Sequence, residues 1–431
     1  MQTRFTEDQL ANPLISEAEA ILRKCVHCGF CTATCPTFVL TGDERDSPRG
    51  RIWMIRDMLE ADDQPPSKEV GYHLDRCLTC LSCMTTCPSG VDYMHLVDLG
   101  RHHIEENGKR DFLDRGLRRL LGFLLPRANL FHKALILARL ARPFAGLVSG
   151  RLRAMLELAP KSLSKLDPVG QADAVFPAQD NTSYRVALMA GCAQRAIDPD
   201  INAATIALLT RLGVEVVVKE KAYCCGALSH HINDEAGAKD AMRASVAAWA
   251  DELEGDGIDA VIVNTSGCGT TIKDYVNLLK DDPAYAGKAK AISALAKDIT
   301  EFLHDAQLCQ PLADQNMVVT YHAACSLQHG QKVLDAPKAL LRTAGFSVVT
   351  AKESHLCCGS AGIYNVLQPD LASDLQKRKV AHINEAKGDV VVAGNLGCIN
   401  QLAEVDAPIC HTIQLLDWAY GGAKPKQLDA K

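Results

Sequence analysis

The stretch that decides the fold is CVHCGFCTATCP, residues 25–36, which returns as CLTCLSCMTTCP at residues 77–88. Both stretches have the spacing C-x₂-C-x₂-C-x₃-C-P, which is typical of bacterial proteins that hold two iron–sulfur clusters. Three cysteines at two-residue gaps wrap one cluster, while the fourth points away and ligates the other. We therefore predict two [4Fe-4S] clusters, one held by Cys25, Cys28, Cys31 and Cys87 and the other by Cys77, Cys80, Cys83 and Cys35.

Zinc is the alternative metal, because C-x₂-C pairs also bind zinc and two tetrahedral sites would use the same eight cysteines. A fourth cysteine at x₃, followed by proline and repeated, is not a usual zinc-ribbon spacing. Between the motifs, residues 49–60 (RGRIWMIRDMLE) have apolar residues at helical spacing, so helices are predicted to connect the two loops. These features predict an α-helical ferredoxin-type domain over residues 1–108.

Cysteine is the one anomaly in the composition of this 431-residue chain. Its 46 Lys and Arg against 52 Asp and Glu give a net charge of −6, which argues against nucleic acid as a partner. We find no secretory signal and no uninterrupted apolar run of about 18 residues, so neither export nor a membrane span is expected. In a reducing cytoplasm, 18 cysteines favour metal ligation over disulfides.

A second cysteine pattern occurs twice in the C-terminal half. In each copy a cysteine follows an apolar run, a Cys-Cys-Gly comes 32 positions later, and a last cysteine ends another run. Short β-branched runs between amphipathic helices predict two α/β lobes with parallel sheets, over residues 184–310 and 311–431. The cysteines of the two copies are Cys192, Cys224, Cys225, Cys268, Cys325, Cys357, Cys358 and Cys398. The predicted fold class is thus α+β and multidomain.

Each repeat cysteine is predicted at, or just beyond, the C-terminal end of a strand. Because these ends share one edge of an open α/β sheet, the four cysteines of a lobe are expected to converge. The alternative is that these cysteines are inert residues buried in the core. Two adjacent cysteines in a loop, however, fill a core poorly. Four converging thiols can hold a further cluster or other metal, or serve as a thiol site; the lobe can also act only as a docking fold.

Residues 109–183 are predicted to form a basic helical segment and a linker. Residues 109–153 hold eleven Lys and Arg against two acids, with leucines at helical spacing. Basic amphipathic helices lie on anionic membrane surfaces or dock on acidic partners, and they also serve as plain bridges within a protein. Residues 162–183, rich in Asp and Pro, are predicted to be the linker into the first lobe.

Two ferredoxin motifs followed by two CCG repeats resemble the iron–sulfur subunits of dehydrogenases related to heterodisulfide reductase. Strings such as CVHCGFCTATCPT, SLQHGQKV and SHLCCGSAGIYN are similar to those of the glycolate oxidase (glycolate dehydrogenase) branch of that family. The resemblance implies an electron-transfer subunit of a FAD-dependent complex that oxidises glycolate, and (R)-lactate, and passes electrons to a respiratory quinone. FAD would be bound by partner subunits, which agrees with the lack of a G-x-G-x-x-G fingerprint or P-loop here.

The resemblance further implies that this chain holds no catalytic residue and lies in the cytoplasm, peripheral on the inner membrane. The chain departs from the heterodisulfide-reductase catalytic subunits in one respect, since Thr271 and Gln401 stand where each of their repeats ends in a further C-x-x-C. Two rival functions stay open at this point. One is service to another flavoprotein, such as a glycerol-3-phosphate or L-lactate dehydrogenase, and the other is direct reduction of a thiol acceptor.

Overall fold

The computed structural model describes residues 1–61, 64–108, 110–160 and 162–429. Contacts divide the chain into two compact units. The first consists of Met1–Arg118 and His355–Leu375, and the second of Arg119–Ser354 and Gln376–Lys431. The first unit therefore combines the N-terminal cysteine motifs with a short segment of the second repeat.

Helices account for most of the regular structure. The α-helices are α1 Glu7–Leu10, α2 Pro13–Lys24, α3 Pro36–Thr41, α4 Pro48–Glu60, α5 Lys68–Asp75, α6 Ser82–Thr86, α7 Tyr93–Asn107, α8 Phe112–Leu124, α9 Ala128–Ala141, α10 Gly150–Glu157, α11 Ala193–Ile197, α12 Asp200–Arg211, α13 Ala227–His231, α14 Glu235–Glu254, α15 Ser266–Lys273, α16 Tyr275–Leu278, α17 Ala286–Leu295, α18 Ile299–Asp305, α19 Ala336–Thr343, α20 Tyr364–Leu367, α21 Pro369–Glu385, α22 Leu396–Gln401 and α23 Thr412–Ala419. Short 3₁₀ turns cover Glu44–Asp46, Arg142–Leu147 and Lys426–Asp429, and Ser326–Gly330 is a π-helical turn.

Local signals explain where the helices of the first unit begin. Asn12 accepts a hydrogen bond from the backbone of Leu14 and precedes Pro13, so α2 starts with a side-chain cap and a proline at its first position. Ser47 and Pro48 start α4 in the same way. The predicted helix over residues 49–60 is therefore confirmed, one residue longer at its start.

The core of the first unit lies where α2, α4 and α7 meet. Leu22, Ile55, Leu74 and Leu96 are fully buried there. Gly100 of α7 lets the helices approach closely, since a Cβ atom at this position would lie 2.9 Å from Cγ1 of Ile55. The cysteine loops leave the ends of these packed helices.

Two sheets form the framework of the second unit. The strands are β1 Ala174–Phe176, β2 Tyr184–Met189, β3 Val214–Val218, β4 Ala260–Val263, β5 Ala296–Asp298, β6 Val318–His322, β7 Ser347–Thr350, β8 Val390–Ala393 and β9 Ile409–His411. The strand order is β1-β3-β2-β4-β5 in one sheet and β7-β6-β8-β9 in the other. All neighbours are parallel except β1 and β3. The predicted pair of parallel α/β lobes is confirmed.

Both sheets contribute to one hydrophobic core in the second unit. Val186 and Val216 from the first sheet and Val319 and Val390 from the second are fully buried members of it. Helices α12 and α23 also pack together, and Arg211 donates to Asp417 at 2.8 Å between them. The two sheets thus share one hydrophobic core.

Strands β1, β5 and β9 were not predicted from the sequence. Each has three residues, which is too short for a period-two pattern to stand out. Strand β1 lies inside the predicted linker, where Ala174–Phe176 pairs antiparallel with β3. Residues 162–183 therefore contain an edge strand of the first sheet as well as connecting loops.

Arg51 of α4 is the centre of a buried polar network in the first unit. Its side chain is 1% exposed and donates to the carbonyl of His73 at 2.8 Å, to Thr37 Oγ1 at 3.1 Å and to Asp46 Oδ1 at 3.4 Å. The Asp46 carboxylate also contacts His73 Nδ1 and Arg76 Nη1, each at 2.8 Å. Buried charges of this kind tolerate the loss of a partner poorly.

We expect Arg51→Met to lower the free energy of unfolding of the first unit by about 3 kcal/mol, because buried acceptors lose their donor. Urea unfolding followed by circular dichroism measures this as a lower midpoint. The matched control is Arg23→Met, since Arg23 is 64% exposed in a surface pair with Glu19 and its loss should cost less than about 1 kcal/mol. Equal midpoints for the two variants would contradict the prediction.

Candidate metal centres

The first cysteine loop runs from the end of α2 to the start of α3. Cys25 directly follows α2, and Cys35 precedes Pro36, which starts α3. Between them His27 has φ 54° and Gly29 has φ 85°, so the chain turns through left-handed conformations that curl the loop. Two helix ends therefore set the span of the C-x₂-C-x₂-C-x₃-C-P motif.

A cavity lies inside this loop. Cys25, Cys28, Cys31 and Cys87 border it, and Cys83 does so as well. Ile52 and Val91 supply apolar wall on the protein side of the cavity. A donor set made of thiols in an apolar wall fits an iron–sulfur cluster and also suits zinc. Burial raises the pKa of Cys31 to about 11, so its thiolate form needs a nearby cation.

The second cysteine loop is more deeply buried than the first. Burial raises the pKa of Cys83 well above its usual range, and the neighbouring thiols of Cys80, Cys77 and Cys35 raise it further. The sulfur of Cys77 accepts from Tyr93 Oη at 3.8 Å, and that of Cys35 accepts from Arg51 Nη1 at 3.9 Å. The structure thus groups these four sulfurs and supplies hydrogen-bond donors to two of them.

The two loops differ in their access to solvent. Cys28 is exposed, and its neighbours Val26 and Phe30 are 67% and 63% exposed. Cys80 and Cys83 are both buried. The surface at residues 26–30 therefore gives the first loop a direct opening to a partner.

The Cys-Cys-Gly of the second repeat belongs to the first unit, where Cys357 and Cys358 are buried. Tyr364, in the same segment, donates to the carbonyl of Arg76 at 3.1 Å. The pKa of Cys80 is raised first by burial and then by Cys357, so these two thiols are neighbours. Sequence analysis missed this contact between the second cysteine loop and the second repeat.

In the first repeat all four cysteines converge, as expected from the sheet order. Cys192 follows β2, the pair Cys224 and Cys225 follows β3, and Cys268 lies in α15 after β4. The Sγ atoms of Cys192 and Cys224 are 3.8 Å apart, and Cys225 is hydrogen-bonded to both Cys224 and Cys268. The donor set again fits a cluster or another thiophilic metal.

The thiols of the first repeat lack the properties of nucleophilic cysteines. The hydrogen bond with Cys192 lowers the pKa of Cys224, but Cys225 and burial raise it more, to about 12. For Cys225 the bond with Cys224 lowers the pKa, while Cys268 and burial outweigh it. Reactive thiols have lowered pKa values and partial exposure. The first repeat therefore supports metal ligation better than direct reduction of a thiol acceptor.

In the second repeat, Cys325 follows β6 and Cys398 lies in α22 after β8. Sequence analysis missed His322, the last residue of β6, which has a ring nitrogen within 4.8 Å of the Cys398 sulfur. Two features of the sequence distinguish His322 as a candidate ligand. His322 and Cys325 make an H-x-x-C spacing, and the first repeat has Met189 where the second has His322.

Exposed apolar side chains are concentrated in residues 119–153 of the second unit. This segment carries nine of the 19 large hydrophobic residues that are exposed in the described part of the chain. They are Leu120, Phe123, Leu130, Ile136, Leu137, Leu140, Phe144, Leu147 and Leu152, which we name the basic apolar surface together with the seven Lys and Arg of the same segment. No single described helix has the length and apolarity of a membrane span, although Phe112–Leu124 and Ala128–Leu147, bent by 118°, do so as a pair.

Comparison with known proteins agrees with this architecture. Residues 24–91 match the 4Fe-4S dicluster domain, and residues 186–273 and 319–403 each match the cysteine-rich CCG domain. A crystal structure of a hypothetical protein from Helicobacter pylori is similar in fold, with a TM-score of 0.54 at 12% identity over 99% of this chain and 75% of that one.

Similar curated proteins carry functional names. The glycolate oxidase iron-sulfur subunit of Escherichia coli K12 is 38% identical over 97% of this chain and 99% of its own length. The probable glycolate oxidase iron-sulfur subunit of Bacillus subtilis 168 is 31% identical over 89% of both chains. Lactate utilization protein A of Geobacillus kaustophilus is 29% identical over 52% of this chain and 94% of its own length. The chain belongs to the family of glycolate oxidase iron–sulfur subunits, and is thus an electron-transfer subunit of an oxidoreductase.

Proposed function

We propose that this chain carries electrons from a flavoprotein that oxidises glycolate, and (R)-lactate, to a respiratory quinone. The observation that carries the proposal is the cavity bordered by Cys25, Cys28, Cys31 and Cys87, beside the buried sulfurs of the second loop. [4Fe-4S] clusters bound there would supply one-electron carriers. The second cluster would be held by Cys77, Cys80, Cys83 and Cys35. The names of the relatives support the substrate class.

This chain's own residues then act on the clusters without acid–base chemistry. Thiolates would hold the iron, Ile52 and Val91 would shield part of the first cluster, and Tyr93 and Arg51 donate to sulfurs of the second loop. Hydrogen bonds and positive charge near sulfur favour the reduced state and raise the reduction potential. The second centre is therefore the better electron acceptor of the two in this proposal.

The contact between Cys80 and Cys357 suggests where electrons go next. Cys357 belongs to the second repeat, and its thiol is close enough to raise the pKa of Cys80 after burial. The hydrogen bond from Tyr364 to Arg76 holds the same segment in place. We propose a route from the exposed first loop, through the buried second loop, to Cys357 and Cys358 of the second repeat. Clusters in the repeats are part of this proposal.

We expect Cys28→Ser to remove the iron of one cluster, about four atoms per chain, and to leave the second cluster in place. Anaerobic purification with partner subunits, iron and sulfide analysis, and EPR after dithionite measure this. Cys309→Ser is the matched control, because Cys309 is half-buried and lies outside the cysteine motifs. Zinc in place of iron, or unchanged iron in Cys28→Ser, would contradict the assignment.

The surface around Cys28 is the proposed docking site of the flavoprotein. Val26 and Phe30 flank this exposed cysteine and are themselves more than half exposed. An apolar patch beside an exposed ligand lets a partner exclude water and bring its flavin near the cluster. Arg49 and Glu44 form an ion pair near this loop, and charged residues of this kind form the rim of many interfaces.

We expect Val26→Ser/Phe30→Ser to slow reduction of the clusters by glycolate about tenfold or more, with iron content unchanged. Stopped-flow absorbance of the anaerobic complex measures the rate, and dithionite titration checks that both clusters remain. The control is Val175→Ser/Leu334→Ser, two apolar residues that are each 54% exposed and lie far from the two N-terminal cysteine loops in sequence. An unchanged rate of reduction in the Val26→Ser/Phe30→Ser complex would place the partner elsewhere.

We also propose that the basic apolar surface binds an anionic membrane, which puts the chain on the cytoplasmic face of the inner membrane beside its quinone. Residues 119–153 contain seven Lys and Arg and no acid, so their charge complements anionic lipid. Leu137, Leu140 and Phe144 are each more than 60% exposed, which is costly in water and favourable at a headgroup boundary. The 18 cysteines, most of them in metal-binding patterns, suit a reducing compartment.

We expect Leu137→Ser/Leu140→Ser/Phe144→Ser to weaken membrane binding of the complex about tenfold or more, because apolar area no longer enters the bilayer. Flotation with phosphatidylcholine vesicles, with and without phosphatidylglycerol, measures this. Binding of the unaltered complex should need the anionic lipid and fall as salt rises. The Val175→Ser/Leu334→Ser control should bind normally. If the Leu137→Ser/Leu140→Ser/Phe144→Ser variant still binds vesicles but no longer co-purifies with the flavoprotein, the basic apolar surface binds a protein instead.

A further inference from the structure

We propose that the second repeat contains a metal centre ligated by the imidazole of His322 together with the thiolate of Cys398. This assignment goes beyond the electron-transfer role and the eight N-terminal cysteines. It also adds a ligand that the cysteine pattern of the repeats does not contain. The shared chemistry is that of a thiophilic transition metal, either the iron of a cluster or Zn²⁺.

The sheet brings the two residues together. Strands β6 and β8 are parallel neighbours, and His322 is in register with Ala393 at their carboxyl ends. After β8 the chain turns at Asn395. The side chain of Asn395 accepts a hydrogen bond from the backbone N–H of Cys398 at 3.2 Å and so caps the start of α22. His322 and Cys398 therefore meet at the edge where open α/β sheets bind ligands.

Distance and donor type fit a shared metal. A ring nitrogen of His322 and Sγ of Cys398 lie within 4.8 Å of each other. Two ligands of one tetrahedral zinc, with bonds of about 2.0 Å and 2.3 Å, would be about 3.5 Å apart, which lies inside this limit.

His322 is not a satisfied core histidine. The residue is 4% exposed, and its Nε2 atom is buried with no hydrogen-bond partner among the described residues. A buried ring nitrogen without a partner is costly, and neutral imidazole is the form that ligates metals. Cys398 is 5% exposed, so both donors lie in the dry interior where a bound metal would be retained.

The two repeats differ in the residue at the position of His322. In the first repeat Met189 ends β2 in register with Val263 of β4, the same place that His322 and Ala393 occupy. Met189 is buried in the apolar core, and the four thiols of that repeat contact one another without it. The repeats therefore present different donor sets, all thiol in the first and imidazole with thiol in the second. Imidazole is a neutral ligand and thiolate a charged one, so a centre that uses His322 in place of one thiolate would be less negative and have a higher reduction potential.

The test replaces His322 in the anaerobically purified complex. His322→Met inserts the residue that the first repeat has at this position, and His322→Gln keeps a polar side chain without an imidazole. We expect each to lose the metal of one centre per chain, iron or zinc, and Cys398→Ser to do the same. The control is His304→Met, because His304 is half exposed on α18. Circular dichroism verifies the fold of each variant.

Metal analysis and spectroscopy distinguish the two metals and the outcomes. For iron, electron spin-echo spectroscopy should detect a histidine nitrogen coupling that His322→Gln removes. For zinc, X-ray absorption at the zinc edge should show nitrogen and sulfur neighbours. Unchanged metal in both His322 variants, or a centre without a nitrogen ligand, would overturn the proposal. Since the Cys28→Ser experiment measures the N-terminal clusters separately, failure of one proposal leaves the other intact.

Discussion

Burial of thiols is the physical constraint on which the rest of the structure depends. A cysteine removed from water keeps its proton unless a cation lies beside it, and burial is the first cause of the raised pKa of Cys83. Metal binding to such a site releases protons and stabilises the folded chain, and the fold must bring the sulfurs close enough together for one centre to reach them all. The protein meets this requirement with rigid elements: helix ends hold Cys25 and Cys35, and the segments that follow β2 and β4 hold Cys192 and Cys268.

Much of this arrangement is predictable from the sequence because it is local. Strands Ser347–Thr350 and Val390–Ala393 are where their β-branched runs predict them, and the ferredoxin spacing alone identifies both cysteine loops. What escaped prediction depends on packing between distant segments. The segment His355–Leu375 joins the first unit through contacts such as Tyr364 with Arg76, which no local pattern encodes. His322 was not predicted because the first repeat has Met189 at the equivalent position, so the cysteine pattern shared by the two repeats does not include it.

The surroundings of the two N-terminal loops separate their roles. Near the first loop, Cys28 is open to solvent beside Val26 and Phe30, so a partner can approach it directly. The second loop is enclosed, and Arg51 links its Cys35 to the buried Asp46 and His73 network. Because Arg51 supports both the fold and the charge around a sulfur, stability and reduction potential are coupled at this position. In the proposed route, the exposed first loop receives the electron from the partner and the enclosed second site, with Arg51 beside it, accepts it next.

The two repeats keep the same strand framework but differ in the side chains at the strand ends. Both copies keep β-strands in the same order and cysteines at the same strand ends, yet Met189 and His322 differ at one shared register position. Thr271 and Gln401 occupy the positions of the additional cysteine in related catalytic subunits, so each copy has four thiols. In the proposed centre of the second repeat, His322 would supply a neutral ligand beside Cys398, whereas each thiolate ligand carries one negative charge. In this proposal the two copies therefore have different metal centres through one residue at a strand end, without any change in the sheet.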